Sequence, residues 1–464
     1  MITDEARIRA GHSAGACLWY AADLRNLPQW LPAALYADKI TEGVLGAGAR
    51  FEVRLRIGFR RVALHFEILR FSPPFTATLR GEGPGVTLVA TLRAESEQAG
   101  RGAILAWDTE VRLDGTLRAR IAEPGIRLAL RRAARGLQHA LRMSPPPRLG
   151  TAGWLADRLV LPGAARFTRQ GFAAARLAPL VARAEGRHVA ITGATGGLGE
   201  AAAMTLARHG ARITIVGRDG ERLRRVVRRL RIDAGCRATV VEADLLDLDS
   251  TARAADALRA DPPDALINNA GALFGERAET GQGFERTLAV NLLSPVILMD
   301  AVAPAMTAGG RIINVVSGGM YLTPLALDDL NFERGRFDGA VAYGRAKRAL
   351  TLLTARRARS WPHLALHAVH PGWADTPGVR SALPAFRRVM RPFLRDADQG
   401  ADSIVWLALD DAAAASRRGV WFDRAPHPID VLPATRLATP QIDALDRRIA
   451  TLVGPWLSSR GLAA

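Results

Sequence analysis

Tyr343 and Lys347 stand four residues apart in the stretch Tyr-Gly-Arg-Ala-Lys. On a helix that spacing puts a phenol and an ammonium on one face. A free tyrosine titrates at about pH 10, too high for a proton shuttle, and a neighbouring ammonium favours phenolate and lowers that value. The lysine is conspicuous because the chain avoids lysine: of its 63 basic residues only Lys39 and Lys347 are not arginine. With four tyrosines and two lysines in 464 residues, a lysine four places after a tyrosine is expected by chance only about 0.02 times. A compact ammonium fits a geometry that a planar, delocalised guanidinium does not enter.

A second group of residues could hold a dinucleotide. The stretch Thr-Gly-Ala-Thr-Gly-Gly-Leu-Gly sets Thr192, Gly193, Thr195, Gly197, Leu198 and Gly199 between a strand-like segment and a helical one. Residues without Cβ let the backbone approach a pyrophosphate, whose charge then rests on the helix N-terminus. The next strand ends in Gly217 and Arg218, where NAD-preferring folds place an acid. A guanidinium there suits the 2′-phosphate of NADP, making NADP the expected cofactor and NAD the lesser one, unless Arg218 is only surface charge. Asp244 follows the third strand, Asn268, Ala270 and Gly271 the fourth, Ser317 the fifth, and Pro371, Gly372 and Thr376 the sixth, with Asn291 on the intervening helix. Taken singly, such a serine is often a turn former and such an asparagine often satisfies backbone.

These residues need a frame. From residue 187, short apolar strands (His188–Gly193, Ala211–Gly217, Arg237–Asp244, Ala265–Gly271, Arg311–Ser317 and Leu364–His370) alternate with helical stretches over 198–209, 221–232 and 343–358. The alternation predicts βαβ units and a doubly wound parallel sheet, an α/β Rossmann-type fold.

The ordered set from the glycine-rich turn through Asn-Asn-Ala-Gly, Asn291, Ser317 and Tyr-x-x-x-Lys to Pro-Gly-x-x-x-Thr resembles the short-chain dehydrogenase/reductase family over residues from 187 to about 430. Val-Ser-Gly-Gly-Met, the segment Phe337–Arg348 and His-Pro-Gly-Trp-Ala-Asp-Thr-Pro-Gly-Val look most like the branch known as SDR family member 12. The resemblance implies an oxidoreductase interconverting a carbonyl and its alcohol. In it Tyr343 is the proton donor or acceptor, Ser317 steadies the substrate oxygen, Lys347 reaches the nicotinamide ribose, and Asn291 holds a relaying water. Gly372 and Thr376 would face the nicotinamide end, and Asn268 and Ala270 the adenine-ribose side. Two departures stand out: Val316 replaces the first serine of the usual pair, and 26 residues separate Ser317 from Tyr343, about twice the commonest family spacing. The retinol-dehydrogenase-like branch carries similar insertions, which suggests a segment that shapes the substrate pocket.

Ahead of this core, residues 1–143 alternate with period two, as in Phe51, Val53, Leu55 and Ile57 or Val62, Leu64, Phe66 and Ile68, predicting half-buried antiparallel strands. Ile126, Leu130, Ala133, Leu137 and Leu141 then form one helical stripe. That order resembles the START-like (SRPBCC, polyketide cyclase-like) α+β helix-grip fold, which implies an apolar ligand, with Trp30 and Trp107 either lining a cavity or packing a core. Residues 144–186 read as a linker with basic amphipathic helices. Its stretch 151–182 either touches an anionic membrane, covers a neighbouring site, or packs between domains. Residues 187–435 form the dehydrogenase domain and 436–464 a helical tail.

The net charge of +18 is scattered through every segment with no base-reading module beside it, which argues against nucleic acid as a partner. Cys17 and Cys236 lack metal-ligand spacing, so no metal is expected, and with no signal pattern or run of about 18 apolar residues the expected location is cytoplasmic, with peripheral membrane contact through 151–182. The expected substrate is a hydrophobic small molecule, and a homo-oligomer is compatible with the family resemblance. An alternative reading makes the chain a lipid-binding or sensing protein whose dinucleotide fold is regulatory.

Overall fold

The computed structural model describes residues 1–141 and 164–462, apart from 11–13, 32, 42–44, 58–59, 73–74, 97–102, 114–115, 176, 178–179, 181–183 and 411–418. Most of the 144–186 segment, including the Pro-rich break and Trp154–Leu161, lies outside the described residues. Two compact units are present, Met1–Pro146 with Arg176–Arg183, and Pro147–Ala175 with Ala184–Ala464.

The first unit is a seven-stranded antiparallel sheet. Its strands are β1 (Ile2–Ala10), β2 (Ala34–Lys39), β3 (Arg50–Ile57), β4 (Arg60–Ser72), β5 (Thr76–Gly83), β6 (Val86–Ser96) and β7 (Ala103–Leu113), in the order β1-β7-β6-β5-β4-β3-β2. Alternation puts Phe51, Val53, Leu64, Phe66 and Ile68 inside. Helix α1 (Ala14–Ala22) packs on β5, β6 and β7, and the long α2 (Thr116–Ala140) on β1 and β7. Of the predicted helical stripe, Ala133, Leu137 and Leu141 are fully buried, while Ile126 and Leu130 are half-buried. Trp30 and Trp107 meet edge to face, with ring centroids 5.7 Å apart. Neither indole N–H has a hydrogen-bond partner.

The second unit carries β8 (His188–Thr192), β9 (Arg212–Gly217), β10 (Ala238–Glu242), β11 (Ala265–Asn268), β12 (Arg311–Val315), β13 (Ala365–Val369), β14 (Val420–Phe422) and β15 (Ala425–His427). Their order is β10-β9-β8-β11-β12-β13-β14-β15, parallel except for the final pair. Chain order reverses between β8 and β11, which opens a crevice at the carboxyl ends of the strands. Helices α3 (Arg169–Ala175), α4 (Gly197–Arg208), α5 (Gly220–Ala234), α6 (Leu248–Ala260), α7 (Ser294–Val302), α8 (Gly339–Ser360), α9 (Pro377–Ala382), α10 (Pro384–Met390), α11 (Ala397–Leu409) and α12 (Thr439–Ser458) complete the frame.

Three features go beyond the sequence reading. One helical run, Arg286–Ala305, is by length and composition long and apolar enough to cross a membrane, although Arg286, Asn291, Ser294 and Asp300 interrupt it. It is 89% buried inside the protein, as a core helix would be. Residues 164–175, placed in the linker by composition, fold with the second unit. The tail does too: Leu445, Ile449, Val453 and Leu457 of α12 are buried and pack against α6, α7 and α8.

Candidate active site

Helix α8 begins where Asp338 caps it, its carboxylate accepting from the backbone N–H groups of Ala340 and Val341. One turn in, Tyr343 and Lys347 share a face, the Lys347 Nζ lying 5.7 Å from the Tyr343 ring centre. Lys347 is 2% exposed and donates to the Val315 carbonyl at 2.9 Å, which anchors it to the last residue of β12. Two residues later Ser317 leaves the sheet, and its hydroxyl comes near enough to the Tyr343 phenol to favour its ionised form. The serine therefore comes to the phenol although 26 residues separate them.

Burial sets the protonation of this pair. The Tyr343 phenol is pushed up to about 12, chiefly by burial and opposed by the Ser317 hydrogen bond. Burial pulls Lys347 down to about 7. The expected lowering of Tyr343 by Lys347 is not seen: burial dominates the phenol's shift, with only Ser317 opposing it.

Asn291 sits in a single π-helical turn, Ala289–Leu293, between Arg286–Leu288 and α7. The wider turn aims its side chain at the site. Its Nδ2 donates to the Ala272 and Thr287 carbonyls at 2.7 and 2.9 Å, while its fully buried Oδ1 has no partner. A Cβ placed on Gly271 would lie 2.7 Å from that Oδ1 and 3.3 Å from Lys347 Nζ. Gly271, Asn291 and Lys347 thus converge on one point, lined by an orphaned acceptor and an amine with donors to spare.

The dinucleotide cradle is built at the end of β8. Gly193 turns with φ of +68°, and a Cβ there would come within 2.8 Å of the Ala270 Cα. Thr195, Gly197 and Leu198 are partly exposed along the turn. Helix α4 starts at Gly196 with no side-chain cap, leaving its first N–H groups for an anion. Arg218 is exposed just beyond β9. The neighbouring Asp219 is engaged as the cap of α5, accepting from the Arg222 N–H at 3.0 Å. Asp244 is half-buried, with one carboxylate oxygen taken by the Leu246 N–H. Pro371, Gly372 and Thr376 follow β13, and Thr376 Oγ1 caps α9 by accepting from Val379 N–H.

Two side chains assigned to the cofactor are instead turned inward. Thr192 Oγ1 accepts from the Asn269 and Ala270 N–H groups at 3.0 and 2.9 Å, stitching β8 to the loop after β11. Asn268 Nδ2 donates to Asn314 Oδ1 at 2.8 Å beneath the sheet end. Both side chains are buried and hold these loops in place.

The insertion between Ser317 and Tyr343 braces the back of α8. Arg345 lies over the Phe332 ring at 4.8 Å, and Thr323 donates to the Gly319 carbonyl.

Sequence reasoning missed a buried clamp beside the site. Arg395 is 2% exposed and donates to the carbonyls of Arg166, Phe167 and Thr168 as well as both oxygens of Asp423. Its main chain pairs with the loop after β13, Arg395 N–H to the Trp373 carbonyl and Asp375 N–H to the Arg395 carbonyl. A Cβ on Gly372 would strike its Nε at 2.4 Å. Phe167 then packs on His370, Trp373 and Phe422. His370 is held neutral, lowered to about 3 by burial and by Arg395. Its Nδ1 accepts from the Gly372 N–H.

Among the described residues no group of three or more His, Cys, Asp or Glu could hold a metal ion. A family model described as short chain dehydrogenase matches residues 187–385. The chain is 38% identical over 246 residues to a Streptomyces sp. (strain C5) protein named as daunorubicin C-13 ketoreductase DnrU, covering 53% of this chain and 85% of that one. It is 34% identical over 298 residues to dehydrogenase/reductase SDR family member 12 of Bos taurus, covering 62% and 92%. To human retinol dehydrogenase 12 it is 32% identical over 233 residues, covering 48% and 73%.

Proposed function

The chain belongs to the short-chain dehydrogenase family, NAD(P)-dependent dehydrogenases and reductases, and from that premise we propose that it uses NADP(H) to interconvert a hydrophobic carbonyl compound and its alcohol. The observation that carries the reading is the convergence of Ser317, Tyr343, Lys347 and Asn291 from three separate elements: the end of β12, α8 and the π turn before α7. In reduction the Tyr343 hydroxyl hands its proton to the substrate oxygen, and Ser317 Oγ steadies the charge developing there. The bound nicotinamide supplies or accepts the hydride. Lys347, anchored at the Val315 carbonyl, has two donors left, one for the nicotinamide ribose and one whose proton returns to the Tyr343 phenolate and is in turn replaced from the Asn291 side. A raised phenol remains protonated at neutral pH, which suits the direction in which Tyr343 gives a proton away.

Preference for NADP rests on Arg218, exposed at the strand end while the nearest acid, Asp219, is occupied as a helix cap. The substrate class is supported by relatives named for reduction of the daunorubicin C-13 ketone and for dehydrogenation of retinol. Tyr343→Phe tests the assignment: turnover should fall at least about 100-fold with cofactor binding nearly unchanged. Full activity in that variant would remove Tyr343 as the proton donor.

A second reading concerns the first unit, which we infer to be a START-like helix-grip domain holding an apolar ligand. The antiparallel sheet followed by α2 supports it. So do the orphaned indole N–H groups of Trp30 and Trp107, which would suit a ligand carrying one acceptor oxygen.

A further inference from the structure

Between Thr376 and Leu394 the chain makes an excursion from the edge of the active site. Its base is closed by a parallel bridge between Ala374 and Arg395 and by the Asp375 N–H bond to the Arg395 carbonyl. The inner side is anchored, with Phe386 meeting Trp373 edge to face at 5.3 Å and Arg387 pairing with Asp375. The outer side is not. Val389 is 72% and Phe393 45% exposed. Val389 stands in the last turn of α10 and Phe393 at the end of the 3-10 turn that continues it. Arg388 and Arg391 flank them, both exposed. Residues 377–393 contain four arginines and no acid, so the arm has nothing of its own to neutralise Arg388 and Arg391.

An exposed valine and phenylalanine framed by uncompensated arginines are poorly suited to water and suited to an interface that is apolar below and negative at its surface. We propose that the arm formed by α10 and the following turn docks on an anionic lipid bilayer. Val389 and Phe393 enter the headgroup–acyl boundary, and Arg388 and Arg391 meet lipid phosphates or carboxylates. Each arginine near such a surface adds attraction that salt screens. This docking goes beyond the reaction and is measured without substrate. Its consequence is that the loop holding Gly372 and Thr376 faces a membrane, from which an apolar molecule could reach the site without crossing water.

Co-sedimentation of the full-length protein with phosphatidylcholine vesicles, with and without phosphatidylserine, tests it. The expected result is binding that needs phosphatidylserine and falls about tenfold both in Val389→Asn/Phe393→Asn and in Arg388→Gln/Arg391→Gln. NADPH titration of each variant reports that it is folded. Absence of binding by the unaltered protein would overturn the proposal. So would binding unchanged in both variants, which would assign the contact to another basic segment, or binding lost only in the arginine variant, which would mean bulk charge without apolar insertion. Dissociation of a self-associated form by the asparagine pair, seen by sedimentation velocity without vesicles, would instead give the patch to a second copy of the chain.

Discussion

Lys347 is the residue whose environment matters most to its chemistry. Buried at the foot of Tyr343, it is drawn down to about 7 from its ordinary 10.5. Between those values the unfolded chain binds more protons than the folded one, so this group's contribution to stability rises with pH across that window. Tyr343, raised to about 12, acts in the opposite sense only above about pH 10. Lys347→Met should therefore raise the melting temperature of the cofactor-free protein near neutrality, by on the order of 5 °C, and the gap should close as pH approaches about 10. Thermal melts across that range check it; a gap that widens with pH would mean that the lysine is not paying a desolvation cost. Legibility at this scale follows chemistry. Tyr343, Lys347, Ser317 and Asn291 could be singled out because each is a particular functional group at a strand end or on a helix face, and the fold brings them together. The direction of the Thr192 and Asn268 side chains was not legible, because a sequence shows that a polar group is present but not which way it points; both bond inward.

At the scale of elements, the parallel core was readable because strand and helix periods alternate in order along the chain. The clamp around Arg395 was not. Its partner carbonyl on Phe167 is 228 residues away, and in a chain with 61 arginines one more carries no signal. Strand β1 carries little pattern of its own, since its buried positions are Ile2, Ile8 and Ala10 and the residues from Thr3 to Arg7 are not buried. Arg395 joins three elements: the Arg166–Thr168 segment, the loop after β13, and Asp423 beyond β14. Arg395→Met would leave the Asp423 carboxylate without its partner in the interior. The expected loss is about 3–5 kcal/mol of stability, with weaker NADPH binding as the loop loosens. Denaturant unfolding of the full-length protein measures it; a loss below about 1 kcal/mol would show that the clamp does not hold the loop.

For the whole molecule, the boundary of the catalytic unit lies earlier than the change of period at residue 187 suggests. Residues 164–175 fold with the Rossmann core, and Phe167 seals His370 against Phe422. A shortened chain beginning at Ala164 should bind NADPH as the full-length protein does, whereas one beginning at Ala184 should lose at least about tenfold in affinity through a loosened loop. Equal binding by the two would place the pre-core segment outside the functional unit. The net charge of +18 likewise gains meaning only in three dimensions. Some arginines are balanced by nearby acids, as Arg357 is by Asp300 and Asp446 and Arg387 by Asp375, while Arg388 and Arg391 have no acid within the span of the 377–393 arm.

The central claim, a dinucleotide cradle that prefers the 2′-phosphate and serves Tyr343, is tested most directly by titrating the full-length protein with NADPH and with NADH while following nicotinamide fluorescence. Saturable binding of NADPH at least about tenfold tighter than NADH is the predicted result, as a guanidinium at Arg218 would give. Binding of NADH as tight as NADPH would remove Arg218 from the cofactor's recognition, and no binding of either nucleotide would contradict the account of the site itself.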